Sequence, residues 1–267
     1  MSKVIIQALI SCAVFLAVLF GFAQVDWLSV LQLNNGSLEK KLGDIYWDFY
    51  RQQGDYMEDE ELLLPIDSLV EHICTANDID REDIKLHLLK TEDVNAFALP
   101  DKHLVIHSAL VLECKNEMEL CGVIAHEIAH MQKGHVMRKL TKSVGLSVLL
   151  NMAGGSSSEA IAQTLHLLSS TAYDRSLESE ADATAVGYLM NAGIDPEPFA
   201  DFLVRIDKEE NMPDFAVWIS THPDSKARAE KVINLSQGQH TAYKRLLGVG
   251  EWERLKANLL DRSQSGQ

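Results

Sequence analysis

Five consecutive residues, His126-Glu127-Ile128-Ala129-His130, set two imidazoles four positions apart with a carboxylate beside the first. Four residues advance a helix by about 40° beyond a full turn, so both imidazoles share one face and can converge on one ion. Glu127 stands about 100° round the helix from His126, where it can take a proton from a water beside the metal without ligating the metal. Two neutral nitrogens for one Zn²⁺ and a carboxylate base for water are the parts that metal-assisted peptide hydrolysis needs. Val123, Ile124, Ile128 and Ala129 are apolar, so the helix is expected to be buried. A buried helix rarely carries two histidines and a glutamate without partners for them.

A zinc site needs a third protein ligand. The continuation HExxHxxGxxH fails here, because Lys133 stands at the glycine and Val136 at the third histidine. Gly134-His135 is one residue out of phase. A carboxylate from a later helix is the other solution, and Glu178-Ser179-Glu180-Ala181-Asp182 offers Glu178 and Asp182 on one face. By spacing alone this is an ordinary charged helix face. Beside the histidine pair, and followed by Ala183, Ala185 and Val186, it reads as Glu178 on the zinc and Asp182 on the second ring nitrogen of a ligating histidine, His126. Such a carboxylate fixes the tautomer and raises ligand basicity. Glu180 points elsewhere on the helix and reads as solvated.

The elements that must hold these residues follow from periodicity. A helix is expected over about Glu117–Lys139, and another around Leu38–Gln53. Pro65 opens a further helix, with Ile66, Leu69, Val70 and Ile73 at helical spacing. Ile84–Leu89 alternates like a half-buried strand, and Val94–Leu99, Pro100-Asp101-Lys102 and His103–His107 read as strand, turn and strand. The fold class is therefore α+β and mainly α, with a small antiparallel sheet of about three strands ahead of the zinc helix. Gly154-Gly155-Ser156-Ser157-Ser158 is the clearest loop. Val144–Ala153 is apolar but too short to span a bilayer, which takes roughly 20 residues. The Val144–Leu168 region reads as ordinary core or as a lid over the cleft.

The chain has 267 residues, 46% of them hydrophobic, which is enough for one sizeable core. A net charge of −15 argues against nucleic acid and against electrostatic docking on anionic lipid. Val4–Ala23 is a 20-residue run without a formal charge, flanked by Lys3 and Asp26. It fits a membrane anchor with the body on the extracytoplasmic side. Gly21-Phe22-Ala23 also fits a cleaved signal, and Leu9-Ile10-Ser11-Cys12 is a weak lipoprotein box; the length of the run favours the anchor. Cys12, Cys74, Cys114 and Cys121 contain no CxxC and suggest neither a disulfide scaffold nor a metal knuckle. Cys114 and Cys121 fit a disulfide or two buried thiols equally.

Several separate stretches resemble one family. These are Asn95-Ala96-Phe97-Ala98-Leu99-Pro100 with Leu104-Val105-Ile106, and Glu119-Leu120 through the histidine pair to His135. Arg175 with Glu178, Ala181 and Asp182, and Thr221-His222-Pro223 with Arg228, complete the set. Over roughly residues 60 to 235 the chain resembles the HtpX-like and CAAX prenyl protease type-1-like zinc metallopeptidases, gluzincins that include periplasmic BepA-like and LoiP-like members. The resemblance implies a zincin-like helical domain and zinc on His126, His130 and Glu178, with Glu127 as general base. It implies His222 near the metal, steadying an oxyanion or plugging the open position, and Arg228 holding a carboxylate near the site. By itself His222 is only a histidine at a helix entry, and Arg228 a surface ion pair. His135 reads as supporting the site or the fold, not as a ligand. Asn95, Ala96 and Phe97 would carry the strand along which an extended substrate lies.

The expected organisation is a membrane anchor or signal over 1–23, a juxtamembrane helix and acidic linker over 24–60, a peptidase domain over 61–236 and a helical extension over 237–267. The expected function is endoproteolysis of unfolded or misassembled envelope or membrane polypeptides. A zinc-stabilised envelope chaperone or assembly factor with latent proteolysis is the alternative, though a binding module has no need of Glu127. A single apolar span removes the prenyl-protease substrate assignment, which needs an intramembrane chamber. A cytosolic acyl or peptide hydrolase of serine type is a poor fit, since no G-x-S-x-G is present.

Overall fold

The computed structural model describes residues 27–53, 56–208, 215–236 and 245–264; the apolar run Val4–Ala23 lies outside them. Helix α1, Trp27–Gln53, leads to strand β1, Tyr56–Met57, and helix α2, Glu60–Ala76. Strands β2, Lys85–Leu89, β3, Ala96–Leu99, and β4, His103–His107, follow. The remaining elements are helical: α3 Ser108–Glu113, α4 Glu117–Gln132, α5 His135–Val144, α6 Leu146–Ala153, α7 Ser158–Ser170, α8 Arg175–Asn191, α9 Glu197–Lys208, α10 Ala216–Thr221, α11 Ser225–Ser236 and α12 Glu251–Gln264. The fold is mainly α with a small sheet. None of the described helices is long and apolar enough to cross a membrane.

The sheet has four strands in the order β1-β2-β4-β3 and is mixed. β3 and β4 form the expected antiparallel pair, Ala96 opposite Ile106 and Leu99 opposite His103. Asp101 and Lys102 turn the chain between them with φ of 61° and 57°. The parallel pairing of β2 with β4, Lys85 opposite His103, was not expected. Alternation within a strand reports which face is buried, not which neighbour it pairs with. The two-residue strand β1 is too short to carry a periodic signal.

α4 is the central helix. Asn116 caps it, its side chain accepting from the N–H groups of Met118 and Glu119. Every residue from Glu117 to Met131 is buried, so no polar face shows in its pattern. α8 and α9 pack against it, and Gly122 permits the approach of α9: a Cβ there would stand 2.3 Å from Cβ of Phe199. The helix expected over Glu117–Lys139 breaks at Gly134, whose φ of 66° suits a residue without a Cβ, and α5 starts at His135. Cys74, Cys114 and Cys121 are free and buried, which decides for thiols over a Cys114–Cys121 disulfide.

Candidate metal centre

α4 delivers His126, Glu127 and His130, the first turn of α8 delivers Glu178, and His222 follows the last turn of α10. Its N–H donates to the Trp218 carbonyl at 2.8 Å. Asp224, with φ 63°, then turns the chain into α11, which carries Arg228. His126, Glu127 and His130 are completely buried and His222 is 1% exposed.

One donor atom each from His126, His130, Glu178 and His222 lie within 4.8 Å of one another. His126 Nε2 is 3.0 Å from His130 Nε2 and 3.3 Å from His222 Nδ1. Glu178 Oε1 is 3.2 Å from His130 Nε2 and from His222 Nδ1, and Oε2 is 3.6 Å from His126 Nε2. Zinc–nitrogen bonds of about 2.0–2.1 Å place tetrahedral donors roughly 3.3–3.4 Å apart, so these spacings and this nitrogen and oxygen set fit one zinc ion.

The surrounding groups orient the donors. Asp182 Oδ1 lies 3.1 Å from His126 Nδ1, the pairing expected from spacing. His135 Nδ1 lies 3.0 Å from His130 Nδ1, which makes His135 a support of the second histidine. Arg228 donates to both oxygens of Asp182, and its Nη1 lies 2.8 Å from Glu178 Oε2. Arg228 is therefore inside the site and not a surface ion pair.

Charge follows from burial and these partners. Burial opposes ionisation of Glu178, but Arg228, His222 and His130 together hold its carboxyl well below the usual range. Burial works against Asp182 in the same way, and Arg228 and His126 overcome it. Burial, reinforced by His126, pushes His130 far down, which leaves it neutral as a metal ligand must be. Burial likewise pushes His222 down to about 4. Burial pushes Glu127 up to about 7, against the pull of His126. Neither Glu127 oxygen has a hydrogen-bond partner among the described residues, and His222 Nε2 is 3.5 Å from Oε1. A carboxylate with open lone pairs beside a donor cluster is placed to accept a proton from water.

Three features escaped sequence reasoning. Tyr173 stacks on His130, ring centroids 4.0 Å apart, and covers the site from the segment before α8. Lys139 lies over the Tyr173 ring at 4.2 Å and donates to the Leu168 carbonyl at 2.7 Å, which ties α7 to α5. Glu180, read as solvated, is exposed, yet its carboxylate approaches His135 Nε2 at 3.4 Å. Only the nearness of Tyr173 to Arg175 in sequence could have drawn attention to it. Arg175 itself stays outside the site, pairing with Asp224 at 2.8 Å. Asn95, Ala96 and Phe97 lie at the start of the edge strand, which packs on α4, and not in the donor cluster.

The model of Peptidase family M48 matches residues 64–236. The chain is 28% identical over 255 residues to the beta-barrel assembly-enhancing protease of Yersinia pestis, covering 85% of this chain and 52% of that protein. The protease of the same name from Escherichia coli (strain K12) is 28% identical over 257 residues, with the same coverage. The mitochondrial metalloendopeptidase OMA1 of Schizosaccharomyces pombe is 27% identical over 202 residues, 73% of this chain and 60% of that one. The chain thus spans about half the length of the beta-barrel assembly-enhancing proteases it matches.

Proposed function

This chain belongs to peptidase family M48, and from that premise we propose that it is a zinc-dependent endopeptidase. One observation carries the reading: the donors of His126, His130, Glu178 and His222 lie within 4.8 Å of one another beside the carboxylate of Glu127, which has no hydrogen-bond partner among the described residues. In this assignment His126, His130 and Glu178 hold the ion. Both Glu178 oxygens face the donor nitrogens, and Oε2 also pairs with Arg228.

A zinc ion held there supplies Lewis acidity toward the scissile carbonyl and the attacking water. Glu127 takes a proton from that water and returns it to the amine nitrogen as the peptide bond breaks. Asp182 and His135 hold the two imidazoles in position and tautomer. The substrate lies extended along β3, which among the described strands has a neighbour on one side only. The Asn95 carbonyl accepts from the His107 N–H, so the alternate residues Ala96 and Ala98 turn their backbone groups to the open side. Backbone pairing of this kind tolerates varied side chains.

His222 occupies the fourth corner of the donor set in the resting form. It withdraws when substrate enters, and its Nε2 then serves the oxyanion. The same closure supports a second reading, an assembly factor whose proteolysis is latent. Its proposed substrates are unfolded or misassembled envelope polypeptides, a reading supported by bacterial relatives named for beta-barrel assembly. We place the peptidase domain at 61–236, an extension at 237–267 and a linker at 24–60. Val4–Ala23 anchors the chain, and the peptidase domain lies on the extracytoplasmic side.

The test is Glu127→Gln. The variant is expected to keep its zinc by metal analysis while cleaving unfolded casein at least about 100-fold more slowly. Normal cleavage would remove Glu127 from the mechanism. Casein left intact by the unaltered protein, with or without chelator, would favour the assembly-factor reading.

A further inference from the structure

A cavity of about 320 Å³ lies beside the edge strand, with Tyr50 of α1, Asn95 and Phe97 of the strand segment, His107 of β4, Ser169 of α7 and Val217 of α10 in its wall. Asn95 and Phe97 share one face of the strand by its two-residue period. Asn95 is completely buried, and neither Oδ1 nor Nδ2 has a partner among the described residues. A buried amide without partners is costly to keep unless something else satisfies it. A carboxamide offers one acceptor and two donors together, which is the complement of a peptide group.

The other walls speak for the side chain. Tyr50 and Phe97 have ring centroids 5.9 Å apart, and Phe97 meets His107 edge to face at 5.6 Å. A further ring extends such a cluster by offset or edge contacts. The volume is at the low end of small-molecule sites, which run from about 300 to 1,000 Å³, so one large side chain fits and a whole cofactor does not. Val217 belongs to the helix that leads to His222, and Ser169 to the helix whose Leu168 carbonyl accepts from Lys139, so an occupant touches an element that positions a donor.

We propose that this cavity is a specificity subsite that takes an aromatic side chain of an extended peptide, with Asn95 paired to the backbone amide of that residue. The proposal rests on the endopeptidase reading, because it uses the same strand as the substrate's seat.

The experiment reads binding, so that it does not depend on turnover. Fluorescently labelled alanine-rich peptides, each with a single Phe at a successive position, are titrated by anisotropy against zinc-loaded Glu127→Gln full-length protein. Phe in one register is expected to tighten binding over the all-alanine parent by about tenfold or more, as burial of a ring implies. Ser169→Trp, which fills the cavity, is expected to bring the two peptides within threefold of each other. Val217→Phe fills it from α10 and serves if the first variant fails to fold. Asn95→Ala is expected to weaken both peptides in parallel. Equal binding at every register, or a Phe advantage that survives both filling variants, overturns the proposal. Aromatic-selective binding with no cleavage by the unaltered enzyme would sink the endopeptidase reading alone, and cleavage without aromatic selectivity the subsite alone.

Discussion

Arg228 grips Asp182 with two prongs, Nε to Oδ2 at 2.9 Å and Nη2 to Oδ1 at 2.8 Å, and both side chains are buried. The same guanidinium reaches Glu178, so one cation from α11 sets two carboxylates of α8. Asp182 aligns His126 and Glu178 completes the donor set. Glu178, the proposed third ligand, is thus held by Arg228 as well as by the helix that carries it.

Replacing Arg228 with Met keeps much of the volume but leaves two buried carboxylates without their cation. Removal of one partner of a buried ion pair costs about 3–5 kcal/mol. Urea denaturation of the metal-free Arg228→Met protein is expected to show a loss of that order, and zinc retention is expected to fall with it. A loss below about 1 kcal/mol would show that the carboxylates find other partners or protons.

His135 is expected to matter for the ion and little for the chemistry. It touches His130 Nδ1 and no donor atom of the cluster directly. Loss of such an outer partner typically costs 10–100-fold in metal affinity. Competition titration of His135→Phe against a chelator is expected to show a weakening of about that size. Unchanged affinity would reduce His135 to a packing residue.

Gly122 predicts a packing lesion distant from the chemistry. A Cβ on residue 122 would meet Phe199 Cβ at 2.3 Å and Cγ at 2.5 Å, well inside contact distance. Gly122→Ala is expected to destabilise by about 1–3 kcal/mol or more. The paired change Phe199→Leu leaves its Cβ in place, so it is expected to restore little, whereas Phe199→Ala removes only the ring clash. Recovery to the parent melting temperature in either double variant would show that α9 shifts freely against α4.

The histidine pair, Glu127 and the Glu178–Asp182 pair were legible because a helix maps fixed spacing onto a face. The link between α4 and α8 was legible only through chemistry: two imidazoles need a third ligand, and Glu178 was the plausible carboxylate. His222 and Arg228 carried no signal of their own, since a histidine before a proline and an arginine on an amphipathic helix are ordinary. Family resemblance, not periodicity, pointed to them. Tyr173 and Lys139 were invisible, because ring stacking and a buried ammonium depend on how α5, α7 and the segment before α8 meet. The parallel β2–β4 pair was hidden for the same reason: strand partners are set by tertiary packing.

A cluster away from the metal centre predicts the acid sensitivity of the fold. His87 Nε2 lies 2.9 Å from His103 Nδ1, and Trp47 of α1 stacks on His87 with centroids 3.5 Å apart. Lys85 Nζ is 3.3 Å from His103 Nε2 and pairs with Asp101, and Asp44 also bears on His103. Burial first, and then the neighbouring His103 and Lys85, push His87 down to about 3. Burial and Lys85 push His103 down to about 4, against Asp101 and Asp44. Both folded values lie below the ordinary histidine value of about 6.5, so the unfolded chain binds more protons in the interval. This contribution to stability is complete above pH 6.5 and is lost as the pH falls from 6.5 toward 4. Melting temperatures from pH 7.5 to 4, in chelator so that zinc loss does not intervene, are expected to fall less steeply for His87→Phe/His103→Gln than for the unaltered protein. Parallel slopes would assign the acid loss to other buried histidines and leave the Trp47 stack without a part in it.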